Sequence, residues 1–173
     1  VGRGETERGS APPKNQGAVG GSGGHRGPAV RLYLDTSALV KLYVDEEGSP
    51  IVRNAVDQAE LIATSILSYV EARAAFVRRR HEGGLSAGDC RRIIRDLDSD
   101  WGRYLVVEVT ESLVRAAARL TEAHRLKAYD ALHLASAAVL RGRLAEPFVF
   151  ASWDLSLERT AKREGLTSLR SQR

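Results

Sequence analysis

Four acids, Asp35, Glu71, Asp130 and Asp154, are the residues of this chain whose types and positions can do chemistry. Asp35 directly follows an apolar run over 30–34, and Asp154 stands two residues past a second run over 148–152. Asp130 falls in the first turn of a helical pattern. Glu71 has Leu67 four residues before it and Ala74 and Ala75 three and four after, which sets its carboxylate beside a buried stripe. Carboxylates brought together repel, so such a cluster is costly unless a divalent cation neutralises it. Oxygen donors with hydroxyl neighbours suit Mg²⁺ or Mn²⁺ rather than zinc. Each acid also has a plain structural use. Asp35 and Asp154 can cap helices, Asp130 can complement a helix dipole, and Glu71 can pair with Arg78 two turns on.

Elements that would hold these acids follow from the hydrophobic pattern. Strands are expected over 30–34, 61–64, 104–109 and 148–152, with a short last one over 166–169. Helices are expected over 37–43, from Ser49 with Pro50 at the first helical position, and over 66–81 with a stop at Gly83-Gly84. Further helices are expected from an N-cap at Ser86 to about Asp100, over 111–124, over 128–141 with a stop at Gly142, and over 154–164. Strands separated by helices predict an α/β fold, a mainly parallel sheet of four to five strands covered on both faces. In such sheets ligands gather at the carboxyl ends of the strands, where these acids sit.

The chain has 173 residues, 43% hydrophobic and 28% charged, which suits one globular domain. It has no apolar stretch of membrane-spanning length and no apolar leader core, so a cytoplasmic protein without a membrane partner is expected. One cysteine, Cys90, excludes an intrachain disulfide and a multi-cysteine zinc site. Residues 1–29 hold nine of the 16 glycines and three of the five prolines, and are expected to be a disordered tail preceding a domain over 30–173. A mis-assigned start would account for that tail, with the native chain beginning near Val30. The net charge of +4 permits a polyanionic partner without requiring one.

The residues around the acids resemble the four motifs of the PIN-domain nucleases. Leu32-Tyr33-Leu34-Asp35-Thr36-Ser37-Ala38-Leu39-Val40 is similar to the opening motif, and Ser65-Ile66-Leu67-Ser68-Tyr69-Val70-Glu71 to the second. Leu126-Lys127-Ala128-Tyr129-Asp130-Ala131-Leu132-His133-Leu134-Ala135 resembles the third, the most specific of the set. Phe150-Ala151-Ser152-Trp153-Asp154-Leu155-Ser156-Leu157 resembles the fourth, with Ala-Ser-Trp where a Thr often precedes the last acid. Order and separation agree over 30–170, and the compact size points to the VapC-type toxins of VapBC toxin–antitoxin pairs.

That resemblance implies Mg²⁺- or Mn²⁺-dependent endoribonuclease activity, with Asp35, Glu71, Asp130 and Asp154 catalytic and Asp35, Asp130 and Asp154 holding metal. It implies supporting roles for the hydroxyls of Thr36, Ser37 and Ser152. It also implies an RNA substrate, a cognate antitoxin that covers the acidic groove, and a homodimer formed through the early helices. Arg78, Arg91 and Arg95 are candidate RNA contacts, with Arg79 and Arg80 equally plausible as solvated helix faces. Two other functions fit an acidic pocket. One is a phosphohydrolase with Asp35 as nucleophile, which lacks the second acid that chemistry wants near Asp35-Thr36-Ser37. The other is a metal-binding regulatory module, which leaves the four separate motifs unexplained.

Several further signals carry less. Gly20-Gly21-Ser22-Gly23-Gly24 matches a nucleophile elbow but lacks the strand before it and the helix after. Asp96-Leu97-Asp98-Ser99-Asp100 begins like a calcium loop but has Trp101 at the glycine position and Val107 at the closing acid, so it is expected to be a solvated helix end. His133, one turn after Asp130, is expected to be a hydrogen-bonded core histidine rather than a proton shuttle. Cys90 is expected to be an inert helix residue, and Trp153 to pack as core rather than stack a base.

Overall fold

The computed structural model describes residues 30–144 and 148–171. The segment 1–29, with its glycine run and its disordered-tail expectation, lies outside the described residues. Five strands, β1 (Val30–Leu34), β2 (Ala59–Ser65), β3 (Leu105–Val107), β4 (Phe148–Ala151) and β5 (Thr167–Ser168), form one sheet in the order β3-β2-β1-β4-β5. Every pairing is parallel. The chain steps outward from β1 to β2 and β3, then crosses back to place β4 on the other side of β1. The carboxyl ends of β1 and β4 therefore flank the point where strand order reverses, which is where open parallel sheets offer a crevice.

The connections are helical, as parallel pairing requires. Helices α1 (Thr36–Tyr43), α2 (Ser49–Gln58), α3 (Leu67–His81) and α4 (Ala87–Asp100) fill the first two crossovers. Helices α5 (Glu111–His124), α6 (Ala128–Leu144) and α7 (Leu155–Arg163) fill the return. The right-handed crossover rule sends these two groups to opposite faces, because the direction of travel along the sheet reverses. Side-chain alternation on β1 obeys the same division. Leu32 and Leu34 pack with Val52, Phe76, Ile93 and Leu97, whereas Tyr33 packs with Leu113, Leu134, Phe150 and Leu157. Cys90, on α4, is buried in the first of these cores. No helix among the described residues is long and apolar enough to cross a membrane.

The expected class and element order are those observed, with local corrections. Helix α2 begins at Ser49 as expected, but with Gly48 as its N-cap, so Pro50 is the second helical residue rather than the first; the Ser49 hydroxyl donates back to the Val44 carbonyl at 2.9 Å. Helix α6 runs through Gly142 to Leu144. A glycine stops a helix by adopting left-handed backbone, and among the described glycines only Gly48, Gly83 and Gly165 have positive φ. Strand β3 is shorter than expected, since a 3₁₀ turn over Trp101–Arg103 delivers the chain late to the sheet edge. Strand β5 keeps only two residues, and β2 extends to seven. The acidic end of α4 is not wholly solvated. Asp100 is buried, accepting from Tyr43 and Arg103, while Asp98 accepts from Tyr69 and Arg73.

Gly48 ties the fold to the segment after β4. Its φ of 87° is a conformation that L side chains rarely adopt, and a Cβ built there would fall within 2.2–2.4 Å of the Trp153 indole. Gly48→Ala is expected to destabilise the protein by about 1–3 kcal/mol, from backbone strain with the clash in addition. Denaturant unfolding followed by tryptophan fluorescence measures this; an unchanged midpoint would show that the turn and the indole relax freely.

Candidate active site

Asp35 is the first residue after β1, and Asp154 follows β4 by three residues. The two strand ends are joined directly. The Asp35 amide donates to the Ala151 carbonyl at 3.1 Å, and the Trp153 amide donates to the Ser37 hydroxyl at 2.7 Å. Both acids are helix caps, so the structural use foreseen for each is real. Asp35 Oδ1 accepts from the Ala38 amide at 2.8 Å and from the Ser37 hydroxyl at 2.7 Å. Asp154 Oδ1 accepts from the Ser156 and Leu157 amides at 2.7 and 2.9 Å, so its Oδ2 takes no part in the cap. Capping holds a carboxylate in one orientation without consuming all its acceptor capacity.

The electrostatics connect three of the four acids. Asp35 is only 4% exposed, and burial pushes its carboxyl above the usual range against the attraction of His133 and hydrogen bonds from Ser152, Ser37 and Ala38. Asp130, half-buried in the first turn of α6, is also raised, by desolvation first and then by the charges of Asp154 and Asp35, with Lys127 and His133 opposing. Mutual repulsion among these carboxylates is the property expected of a cation-binding cluster.

Glu71 joins the site through different partners from the one expected. Its Oε2 accepts from the Thr36 hydroxyl at 2.5 Å and lies 2.9 Å from His133 Nε2. Burial pushes the Glu71 carboxyl up, but the His133 and Thr36 hydrogen bonds and the attraction of His133 outweigh it, so the group sits below the usual range. An ionised carboxylate only accepts, so Nε2 carries the proton. At the other ring nitrogen, Nδ1 lies 3.1 Å from the Tyr33 hydroxyl, and burial keeps that phenol protonated by pushing its pKa up. His133 is thus the hydrogen-bonded core histidine expected, and also the link between Glu71 and α6. The signal for that link was its i,i+3 spacing from Asp130, which places both on one side of the helix.

Of the hydroxyls singled out, Thr36 serves Glu71, Ser37 bridges Asp35 to the Trp153 amide, and Ser152 serves Asp35 and accepts from the Asp154 amide at 3.0 Å. Trp153 packs as core does. It lies against Gly48, with Lys41 Nζ 4.9 Å and the Arg170 guanidinium 5.6 Å from the ring. Arg78, Arg91 and Arg95 are exposed on α3 and α4. The neighbouring Arg79 is committed to Glu46, and Arg92 to Asp89 and Asp96.

Among the described residues no three His, Cys, Asp or Glu side chains converge as a ready-made cage for a metal ion. The donor set is nevertheless all oxygen, and its members raise one another's affinity for positive charge. Mg²⁺ keeps several waters and takes one or two carboxylates rather than a full protein cage, so an oxygen-donor set of this kind fits such an ion without a ready-made cage.

The raised Asp130 carboxyl has a consequence for stability. The folded protein holds this proton to higher pH than the unfolded chain, so stability falls as pH rises from below about 4 through the raised value. Asp130→Asn removes that loss. In chelator-containing buffer it is expected to raise the melting temperature by a few degrees at pH 7, with the gain vanishing near pH 3. A lower melting temperature at pH 7 would mean that the helix dipole outweighs the repulsion.

Comparison with known proteins agrees with this architecture. The PIN domain family model matches residues 32–163. Ribonuclease VapC45 and Ribonuclease VapC49, from two Mycobacterium tuberculosis strains, are each 33% identical over 135 residues, 78% of this chain and 91% of theirs. Ribonuclease VapC3 of Pyrobaculum aerophilum is 28% identical over 115 residues, 66% of this chain and 87% of its own. The crystal structure of PAE2754 from Pyrobaculum aerophilum superimposes with a TM-score of 0.56 at 20% identity, covering 86% of this chain and 90% of that one. A parallel five-stranded sheet in this order, a family model spanning most of the chain and relatives at this identity lead to one assignment: the chain belongs to the PIN domain family and is of the VapC type.

Proposed function

We propose that this chain is a divalent-metal-dependent endoribonuclease, the toxin of a toxin–antitoxin pair, hydrolysing RNA phosphodiester bonds at the cluster of Asp35, Asp130 and Asp154 with Glu71 beside it. The observation that carries the proposal is the coupling of three carboxylates, Asp35 and Asp154 just past the carboxyl ends of the adjacent parallel strands β1 and β4 and Asp130 in the first turn of α6, in a chain whose relatives are named ribonucleases. The catalytic unit is residues 30–173, with 1–29 outside it.

Asp35, Asp130 and Asp154 would hold Mg²⁺ or Mn²⁺. Such an ion supplies charge neutralisation at the phosphate and a more acidic bound water. The chain's own residues do the rest. Asp35 is oriented by its cap and by Ser37 and Ser152, so its carboxylate meets the phosphate region in one pose. Glu71, held ionised by Thr36 and His133 through Oε2, presents Oε1 to orient a water. Its lowered pKa makes it a weak base, suited to positioning the nucleophile more than to removing its proton completely. A buried Asp35 engaged by three hydrogen bonds suits this scheme better than a nucleophilic aspartate.

Exposed Arg78, Arg91 and Arg95 would add non-specific phosphate contacts. The proposal includes an antitoxin chain over the acidic groove and a homodimer through the early helices, where Val70 and Val77 are exposed two turns apart on α3. Total RNA incubated with the protein and Mg²⁺ or Mn²⁺ is expected to acquire new ends at a few discrete positions, mapped by sequencing. Chelator should remove them, and Asp35→Asn should lower their formation by about 10²-fold or more while leaving the fold intact. No new ends with either metal, from folded protein free of antitoxin, would overturn the proposal.

A further inference from the structure

Of the ten aromatic side chains of this protein, nine are buried or half-buried, packed on other rings, cations or the apolar cores. Tyr129 is the exception. It is 59% exposed on the first turn of α6, immediately before Asp130. Leu155, 53% exposed on the first turn of α7, immediately follows Asp154. Asp130 feels the charge of Asp154, so these two uncovered apolar groups adjoin members of a single carboxylate cluster.

Lys127 lies two residues before Tyr129, at the entry to α6. It is exposed, and its charge acts on Asp130. Arg125, exposed and in left-handed backbone, sets the turn that leads to it. A cluster of acids repels a polyanion, so a nucleic-acid substrate needs cations at the rim to bring its backbone in. An uncovered ring next to such a cation is the arrangement that binds an unpaired nucleotide, the cation taking the phosphate and the ring taking the base. Duplex RNA offers no free base face to such a ring, because its bases are already stacked. A protein partner could also cover Tyr129, but adjoining exposed cations favour a polyanion.

We infer that Tyr129 is the stacking platform for an unpaired base of the substrate and that Lys127 holds a neighbouring phosphate. The inference rests on the ribonuclease proposal above and deepens it. Tyr129 is a specificity residue here; the acids retain the chemistry.

The test uses the full chain and a fluorescein-labelled RNA of about 12 nucleotides, single-stranded or annealed to its complement, with affinity read by anisotropy in chelator so that nothing is cleaved. Wild-type protein should bind the single strand at least about tenfold tighter than the duplex. Tyr129→Ala should weaken single-strand binding by roughly five- to a hundredfold, the loss of one stacked base, and Tyr129→Phe should recover most of it. Lys127→Ala should weaken binding and reduce its salt slope by about 0.7. Val114→Ala, which removes an exposed apolar side chain from α5, should bind as wild type does. Unchanged affinity for Tyr129→Ala, equal damage from Phe and Ala, or equal binding of duplex and single strand would each overturn the stacking role. Cleavage of total RNA by the wild type, run in parallel, separates the two claims. Discrete cleavage with an indifferent Tyr129 leaves the nuclease and removes the platform, assigning this ring to a protein partner. Absence of cleavage with metal removes both.

Discussion

Carboxylates held close together repel, and the end of this sheet holds Asp35 and Asp154 at the tips of neighbouring strands with Asp130 within reach of both. Folding must hold them there regardless. The restraint comes from the backbone, since the ladder between β1 and β4 continues past the strands through the Asp35 amide and the Ala151 carbonyl. Helix caps add to it, because each capped carboxylate accepts from amide N–H groups that would otherwise lack a partner. The same bonds that end the strands and start the helices therefore set the acids' directions. The cap and the fixed direction of each carboxylate are one arrangement seen from two sides.

Glu71 is held by a different device. It sits on α3, on the opposite side of the sheet from α6, and is reached across the strand ends by His133. Tyr33 makes that reach possible. Its backbone belongs to β1 and its ring is stacked on Phe150 in the core beneath α5–α7, so its hydroxyl meets the imidazole from a fixed point. A buried network of this kind tolerates little loss, because a partner left unsatisfied bears the full cost of desolvation.

A third constraint lies just outside the acids. Trp153, between Ser152 and Asp154, is packed against Gly48 with Lys41 and Arg170 beside its ring, and Lys41 in turn is paired with Glu46 at 2.6 Å. The segment carrying Asp154 is thereby fastened to the α1–α2 turn. That fastening leaves the Trp153 ring committed to the interior, while Tyr129 on the neighbouring helix remains in contact with solvent.

Local signals were sufficient for much of this. The apolar run before Asp35, the Ser86 cap, the α5 span and the alternation of strand with helix could all be read from residue order, because hydrophobic period and capping chemistry act over a few residues. The positions of the acids relative to those elements were equally legible. What residue order did not contain was partnership. Arg78 lay two turns from Glu71 and looked like its counter-ion, whereas the actual partner, His133, is 62 residues away. Gly142 looked like a stop, yet the backbone there stays out of the left-handed region. Asp100 looked solvated until α1 and the 3₁₀ turn brought Tyr43 and Arg103 to it. The sequence by itself determined which groups could do chemistry and which elements would carry them. Only the tertiary structure decided which of them meet, because parallel pairing joins strands distant in sequence, and burial then changes each group's charge according to the neighbours it finds.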